Sequence, residues 1–552
     1  MPKISSAVKI PRVPESVEGI QVNCCQNPIC ENFQIPPSIP DPEKVRRNTD
    51  DQYRVSGSAE SKVLACKLCG NTNSLKSNLA TWEEYRRISH DIDRAGYTFC
   101  SRVGCVNQHY AFQTHPRHYH RNGQSPEGRL RLKCKLCRKN VTVSDHRRKK
   151  SRKRDFKDLG IFRMLMHQAH LRGIAGITDT DCRGVYRAID RIFEKCQLFT
   201  AQRERKLSKA IKGRALNVAF DQQLYSVNWA CREDRRLTVL PAASSVDNIS
   251  RYCFGMHLSF DGTIDSEALE AAAEECGDPS KPQWARTYAR YWFRCDHRET
   301  MKGDQKLPDV GAQIHNAYTL IAHFLYLRDL FKEAKFIQFS LDREPGITRA
   351  FLNAFGKRVT EGDCCGFLVR IEKGLGNDTR RGLVGTGAKL LYELAGNQGP
   401  FDKEEENAIK ADYLQTLFSE ESPDVWVESP FHTITQPYKA SQLIKGPKLP
   451  SMKRLAYLHL YSSLHAIDSL FNATRRSISY LERPLSKESS AGRVWSGKNP
   501  YNPIMIEKVL TIHRTYYNFI KVGNDGKTPA MRIGVANAPL KVEDVMYFDP
   551  YS

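Results

Sequence analysis

Asp221 and Asp342 each close a stretch of alternating residues, LNVAFD and KFIQFSLD, on the polar side of the alternation. If these stretches are adjacent strands of one sheet, the two carboxylates meet at its edge. Paired carboxylates suit a hard divalent cation, Mg2+ or Mn2+. Two such ions about 3.5 to 4 Å apart can activate a water or hydroxyl and stabilise the leaving oxygen in phosphodiester chemistry. A third acid is then expected from a helix. Asp468 stands next to the apolar Ile467, with Asn472 at i+4 and Arg475 at i+7 on its own face, an amide and a guanidinium suited to a DNA backbone. Glu482, fourteen residues later beside Arg483 and Pro484, is the rival. Each acid alone has a plain alternative, since strand-end aspartates cap turns and Asp468 can pair with Arg475 or Arg476. The order strand acid, strand acid, helix acid favours chemistry.

A second constellation is built from cysteines. Of 17 in the chain, nine precede residue 140, as Cys25-x4-Cys30 with Cys66-x2-Cys69 and again as Cys100-x4-Cys105 with Cys134-x2-Cys137; the second knuckle reads CKLC both times. Such spacing suits structural zinc, because Zn2+ takes a closed tetrahedron of thiolates and a two-residue spacer presents two sulfurs from one turn. Cys24 beside Cys25 leaves one ligand open, and His115, His118 or His120 can substitute in the second site; four cysteines at each site is the preferred set. Disulfides fit the pattern less well.

Elements that position these groups follow from charge and periodicity. Arg147, Arg148, Lys149, Lys150, Arg152, Lys153 and Arg154 form a run of seven cations in eight positions, which repels itself and reads as a basic linker or arm whose cations can neutralise DNA phosphates. From 162 to 199 two helical patterns are separated by Gly173 and Gly176, a helix-turn-helix in which Arg183, Tyr186 and Arg187 lie on the exposed side of the second helix as candidate groove contacts. A solvated charged face is the plain alternative. Further alternation at 252–260 and 365–372 gives strands, and 314–325 a helix. One long helix is expected over 452–481, with Leu460, Leu464, Ile467, Phe471, Thr474, Ile478 and Leu481 as its stripe and Pro484 as its stop. The last part reads as helix, polar turn and a Pro-containing loop.

The 552 residues allow about three to five domains. Lys and Arg number 84 against 62 Asp and Glu, an excess of +22 that points to a polyanionic partner. No run approaches the roughly 18 apolar residues of a membrane span, and MPKISSAVKIPRVPESVEG lacks the apolar block of a secretory signal, so a cytoplasmic location away from membranes is expected.

Together these residues resemble bacterial insertion-sequence transposases of the DDE class. CQNPICENFQIPP and LKCKLCRKNVTVS resemble the family's N-terminal zinc ribbons, IDSLFNATRRSISYLERP its third-acid helix, and YYNF with GKTPAMRIGVA its C-terminal signature. The resemblance implies a multidomain chain. Zinc ribbons would occupy 1–75 and 76–146, and an all-α unit of basic arm and helix-turn-helix 147–210. An α/β ribonuclease-H-like catalytic domain would occupy 211–485, with insertions near 262–308 and 373–450, and a C-terminal extension 486–552. It implies Asp221, Asp342 and Asp468 as the three acids, Asp standing at the third place where Glu is commonest. It further implies two structural Zn2+, catalytic Mg2+ or Mn2+, and double-stranded DNA, both element ends and target, as substrate. A homo-oligomer would hold two ends together at the bacterial nucleoid. Two other classes remain: a DNA-binding regulator that has lost the chemistry, and a metal-dependent nuclease that cuts without joining.

Overall fold

A computed structural model describes residues 12–38, 52–58, 62–94, 97–102, 105–108, 110–126, 129–143, 152–229, 233–296, 305–398, 402–482 and 496–548. The chain divides into two compact units. One holds Met1–Ile88, Ile211–Arg475 and Tyr480–Glu507; the other holds Ser89–Ala210, Arg476–Ser479 and Lys508–Ser552. No helix among the described residues is long and apolar enough to cross a membrane.

Each cysteine repeat folds as a three-stranded antiparallel sheet. The first consists of β1 (Tyr53–Gly57), β2 (Lys62–Cys66) and β3 (Thr72–Ser74), the second of β4 (Tyr119–Gln124), β5 (Leu130–Cys134) and β6 (Asn140–Thr142). The register repeats too: Tyr53 pairs with Cys66 as Tyr119 pairs with Cys134.

The larger unit is organised by a seven-stranded sheet. Its strands are β7 (Ala215–Val227), β8 (Thr238–Asp247), β9 (Cys253–Leu258), β12 (Phe336–Leu341), β13 (Cys364–Arg370), β14 (Val427–Glu428) and β15 (Ala440–Leu443), in the spatial order β14-β15-β13-β12-β7-β8-β9. β7, β8 and β9 form an antiparallel meander, whereas β12 runs parallel to both β7 and β13. The short pair β10 (Phe260–Asp261) and β11 (Ala312–Gln313) stands apart. Helices Asn316–Leu330 and Pro345–Glu361 provide the crossovers that parallel neighbours require. Phe324 and Phe351 from these helices pack on Phe339 of β12, and Phe324 also on Phe220 of β7. In β7 the residues from Leu216 to Phe220 are all buried, because a central strand of a covered sheet hides both faces.

Four expectations change. β7 does not end on Asp221 but runs six residues further, held by continuous pairing with β8 to Val227↔Thr238. The long helix is two, Met452–Tyr461 and His465–Ser477, followed by a 3-10 turn at Ser479–Leu481. Serines make the break: Ser462 Oγ donates back to the Leu458 carbonyl at 2.8 Å, and the Ser463 N–H donates to Ser340 Oγ of β12 at 3.0 Å. Gly173 and Gly176 do not separate two helices; they lie within a third, Leu171–Ile177, between Arg152–Leu165 and Cys182–Glu204. The Pro-containing loop near the C-terminus holds a short helix, Pro529–Ile533, capped by Thr528. The 373–450 segment supplies helices Asn377–Leu394 and Lys403–Gln415, together with β14 and β15 of the sheet.

Candidate functional site

Parallel pairing of β12 with β7 aligns Leu341 with Phe220, so the following residues, Asp342 and Asp221, stand side by side on neighbouring strands, about 4.8 Å apart along the hydrogen-bonding direction. Asp468 occupies the first turn of His465–Ser477, where the helix dipole favours an acid. Its carboxylate accepts from Lys373 Nζ at 3.1 Å, and Lys373 follows shortly after β13. Three carboxylates and one ammonium therefore share this end of the sheet.

The electrostatics of Asp221 report that convergence. Burial, with the Asp342 and Asp468 carboxylates adding to it, pushes its carboxyl up to about 7, although the Gln222 N–H and the Lys373 ammonium act in the opposite direction. A half-buried carboxyl raised by desolvation and further by two like charges is a site that a cation relieves. The oxygen donors fit Mg2+ or Mn2+ in kind. The three side chains are more widely spaced than the cysteine groups, which alone among the described residues bring three or more ligand atoms within 4.8 Å of one another. Glu482 pairs instead with Lys498. Asn472 is exposed and Arg475 half-buried along the same helix as Asp468.

One acid escaped the sequence reading. Glu344 Oε2 accepts from Gln222 Nε2 at 2.8 Å, and burial together with Asp342 raises its carboxyl. Its signal was the D-x-E spacing from Asp342. The intervening Arg343, with Arg370 at the end of β13, lies over the exposed Trp426 ring at 5.6 and 5.5 Å, so cations flank the acids.

Both cysteine repeats close into four-sulfur groups, Cys25, Cys30, Cys66 and Cys69, and Cys100, Cys105, Cys134 and Cys137. Sulfur separations of 3.5 and 3.8 Å in the first, and 3.3 and 3.9 Å in the second, bracket the roughly 3.8 Å edge of a tetrahedron with 2.3 Å Zn–S bonds. Cys24 is buried outside the first group, and burial pushes its thiol up to about 12. The histidines stay out of the second: His118 Nδ1 bonds Asn107 Oδ1 at 2.9 Å and stacks on Tyr110, His115 lies edge-on to Tyr110, and His120 is exposed.

Supporting bonds are duplicated as well. The Tyr53 hydroxyl accepts from the Cys25 N–H at 2.8 Å, and the Tyr119 hydroxyl from the Cys100 N–H at 2.9 Å. Asn32 and Asn107 point their amides at Cys66 and Cys134. Burial raises these two thiols, yet the asparagine amides and the N–H groups of the CKLC turns outweigh it and bring Cys66 to about 7 and Cys134 to about 6. A shared C-x4-C-x-N pattern was the available signal. Burial holds Cys25, Cys30, Cys100 and Cys105 up instead, so each group crowds four sulfurs with one thiol already biased towards thiolate.

In the helical unit, Asp181 caps Cys182–Glu204 by accepting from the Gly184 N–H at 2.7 Å. Val185, Ala188, Ile189 and Ile192 face inwards, leaving Arg183, Tyr186 and Arg187 exposed on one side. Arg147, Arg148, Lys149 and Lys150 lie outside the described residues, and for Arg152, Lys153 and Arg154 the description is confined to helical backbone. No protein-family model matches the chain, and no curated protein matches it.

Proposed function

We propose that the chain is a DNA transposase of the DDE class, with a ribonuclease-H-like catalytic domain. The observation that carries this reading is the adjacency of Asp221 and Asp342 on parallel neighbours β7 and β12, with the charge of Asp468 reaching Asp221. Support also comes from strand order: the meander β7-β8-β9 followed by β12 and β13 on the other side of β7 is the arrangement such a domain requires.

Asp221 and Asp342 would flank two Mg2+ or Mn2+ ions, and Asp468 would complete the shell of one. Bound there, the ions would supply the Lewis acidity that activates water for the first cut and the freed 3′ hydroxyl for attack on target DNA. Lys373 would leave its ion pair with Asp468 to contact a phosphate, and Asn472 and Arg475 would hold the backbone beyond. The exposed Arg183, Tyr186 and Arg187 would contact the ends, aided by the basic arm. The protein would work as a homo-oligomer on DNA in the bacterial cytoplasm.

The test is strand transfer by the purified protein with Mg2+ on a plasmid carrying the element, beside Asp221→Asn. Joined products that disappear in the variant support the proposal. Cleavage without joining supports a nuclease, and function unchanged in Asp221→Asn supports a regulator.

A further inference from the structure

The two ribbons share a fold and a sulfur group but not a surface. Residues 12–77 carry eight Lys or Arg against eight Asp or Glu, whereas residues 97–143 carry nine against one, Glu127. Neutral and strongly cationic copies of one module within a chain suggest different partners.

The first ribbon is engaged within its own unit. Gln26 Nε2 donates to Asn353 Oδ1 at 2.9 Å and Gln34 Nε2 to the Leu352 carbonyl at 2.8 Å, both on helix Pro345–Glu361. Trp284 joins its hydrophobic cluster. The outward rows of its sheet are Arg54–Ala65–Thr72 and Ser56–Val63–Ser74, with one cation between them.

In the second ribbon the same rows read His120–Lys133–Asn140 and Arg131–Thr142, with Asn122 donating to Asn140 Oδ1 at 3.1 Å. Ala65 has become Lys133 and Val63 has become Arg131. All of these residues except half-buried Lys133 are exposed, and among the described residues no ion pair engages Lys133, Arg131 or Arg138. The turn carries a second, independent sign. Gly70 closes the first CKLC turn at φ +73°, a conformation that favours glycine, yet the second turn holds Arg138 there at φ +63°. A cation kept in a left-handed position points to use of its charge.

We propose that the outer face of β4, β5 and β6, with Arg138 at its edge, is a duplex-DNA-binding surface, and that the first ribbon is a packing module that binds no DNA. Cations for phosphates interleaved with amides for base edges are the chemistry of a duplex groove, which is wide enough for a β-ribbon. This rests on the DNA-binding reading above and narrows it to one ribbon.

The experiment is a salt titration of duplex binding by the full chain in an Asp221→Asn background, which separates binding from cleavage. Arg131→Ala with Lys133→Ala is expected to weaken binding about tenfold at 0.15 M salt and to reduce the log–log slope by about two. Arg54→Ala with Lys67→Ala in the first ribbon leaves both unchanged. Arg138→Gly installs the residue the turn favours, so it folds at least as well, and it reduces the slope by about one. An unchanged slope in Arg138→Gly, an equal effect from the first-ribbon pair, or displacement of DNA by polyglutamate at equal charge overturns the inference. Absence of strand transfer by the wild-type chain, with the ribbon-dependent slope intact, overturns the transposase reading alone.

Discussion

The side-chain amide of Asn107 stands 3.1 Å from the Cys134 sulfur, as that of Asn32 stands 3.5 Å from Cys66. An N–H directed at a thiolate stabilises its charge and fixes its orientation, so each asparagine acts on metal through its cysteine. Asn107→Ala is therefore expected to weaken zinc at the second site by about 10- to 100-fold, read by chelator competition. Cys66→Ser removes a ligand and should lower bound zinc from two per chain towards one while unfolding the first ribbon. Two zinc ions retained in Cys66→Ser would remove that site.

Asp221 links stability to pH. Its carboxyl lies at about 7 in the fold against about 3.8 when free, so the folded state is unpenalised below pH 3.8 and loses stability as pH rises through 7. The full penalty is on the order of 4 kcal/mol. Metal-free Asp221→Asn should then melt higher than the wild type at pH 8, with the difference vanishing by pH 4. Added Mg2+ should raise the wild type more than the variant, because a cation relieves the same charge. Parallel melting curves across that range would show that the fold does not raise the Asp221 carboxyl.

What could be read in the sequence, and what could not, divides along local and tertiary lines. The sulfur groups, β12, β13 and the helix carrying Asp468 follow from spacing and periodicity, which are local. The break at Ser462 and Ser463 depends on Ser340, more than 120 residues away, and nothing in the apolar stripe signals it. The extension of β7 beyond Asp221 likewise depends on β8. Glu344 carries the local D-x-E spacing, but its bond to Gln222 of β7 is a tertiary contact.

Gly356 illustrates a constraint of that tertiary kind. A Cβ there would lie 2.3 Å from Gln34 Nε2 and 2.6 Å from the Phe33 ring, so helix Pro345–Glu361 gives up helix propensity to let the first ribbon approach. Gly356→Ala gains up to about 1 kcal/mol of propensity but introduces a clash typically costing about 1 to 3 kcal/mol. The expected outcome is faster proteolysis of the first ribbon with its zinc retained. Unchanged proteolysis would mean that Phe33 moves aside freely.

The choice between the two candidates for the third acid rests on which carboxylate Asp221 feels. Asp468 acts on Asp221 and is paired with Lys373, a cation on a largely exposed stem, whereas Glu482 is committed to Lys498. Asp468→Asn should abolish Mg2+-dependent strand transfer by about 100-fold or more, in keeping with loss of a group that stabilises the transition state. Glu482→Gln should leave it within about threefold, since the loss of one exposed ion pair changes little. Asp468→Glu supplies the discriminating measurement: a longer carboxylate at the same helical turn retains the charge, so activity and Mn2+ affinity should both survive in part. Survival of neither, with Glu482→Gln inactive, would move the role to Glu482.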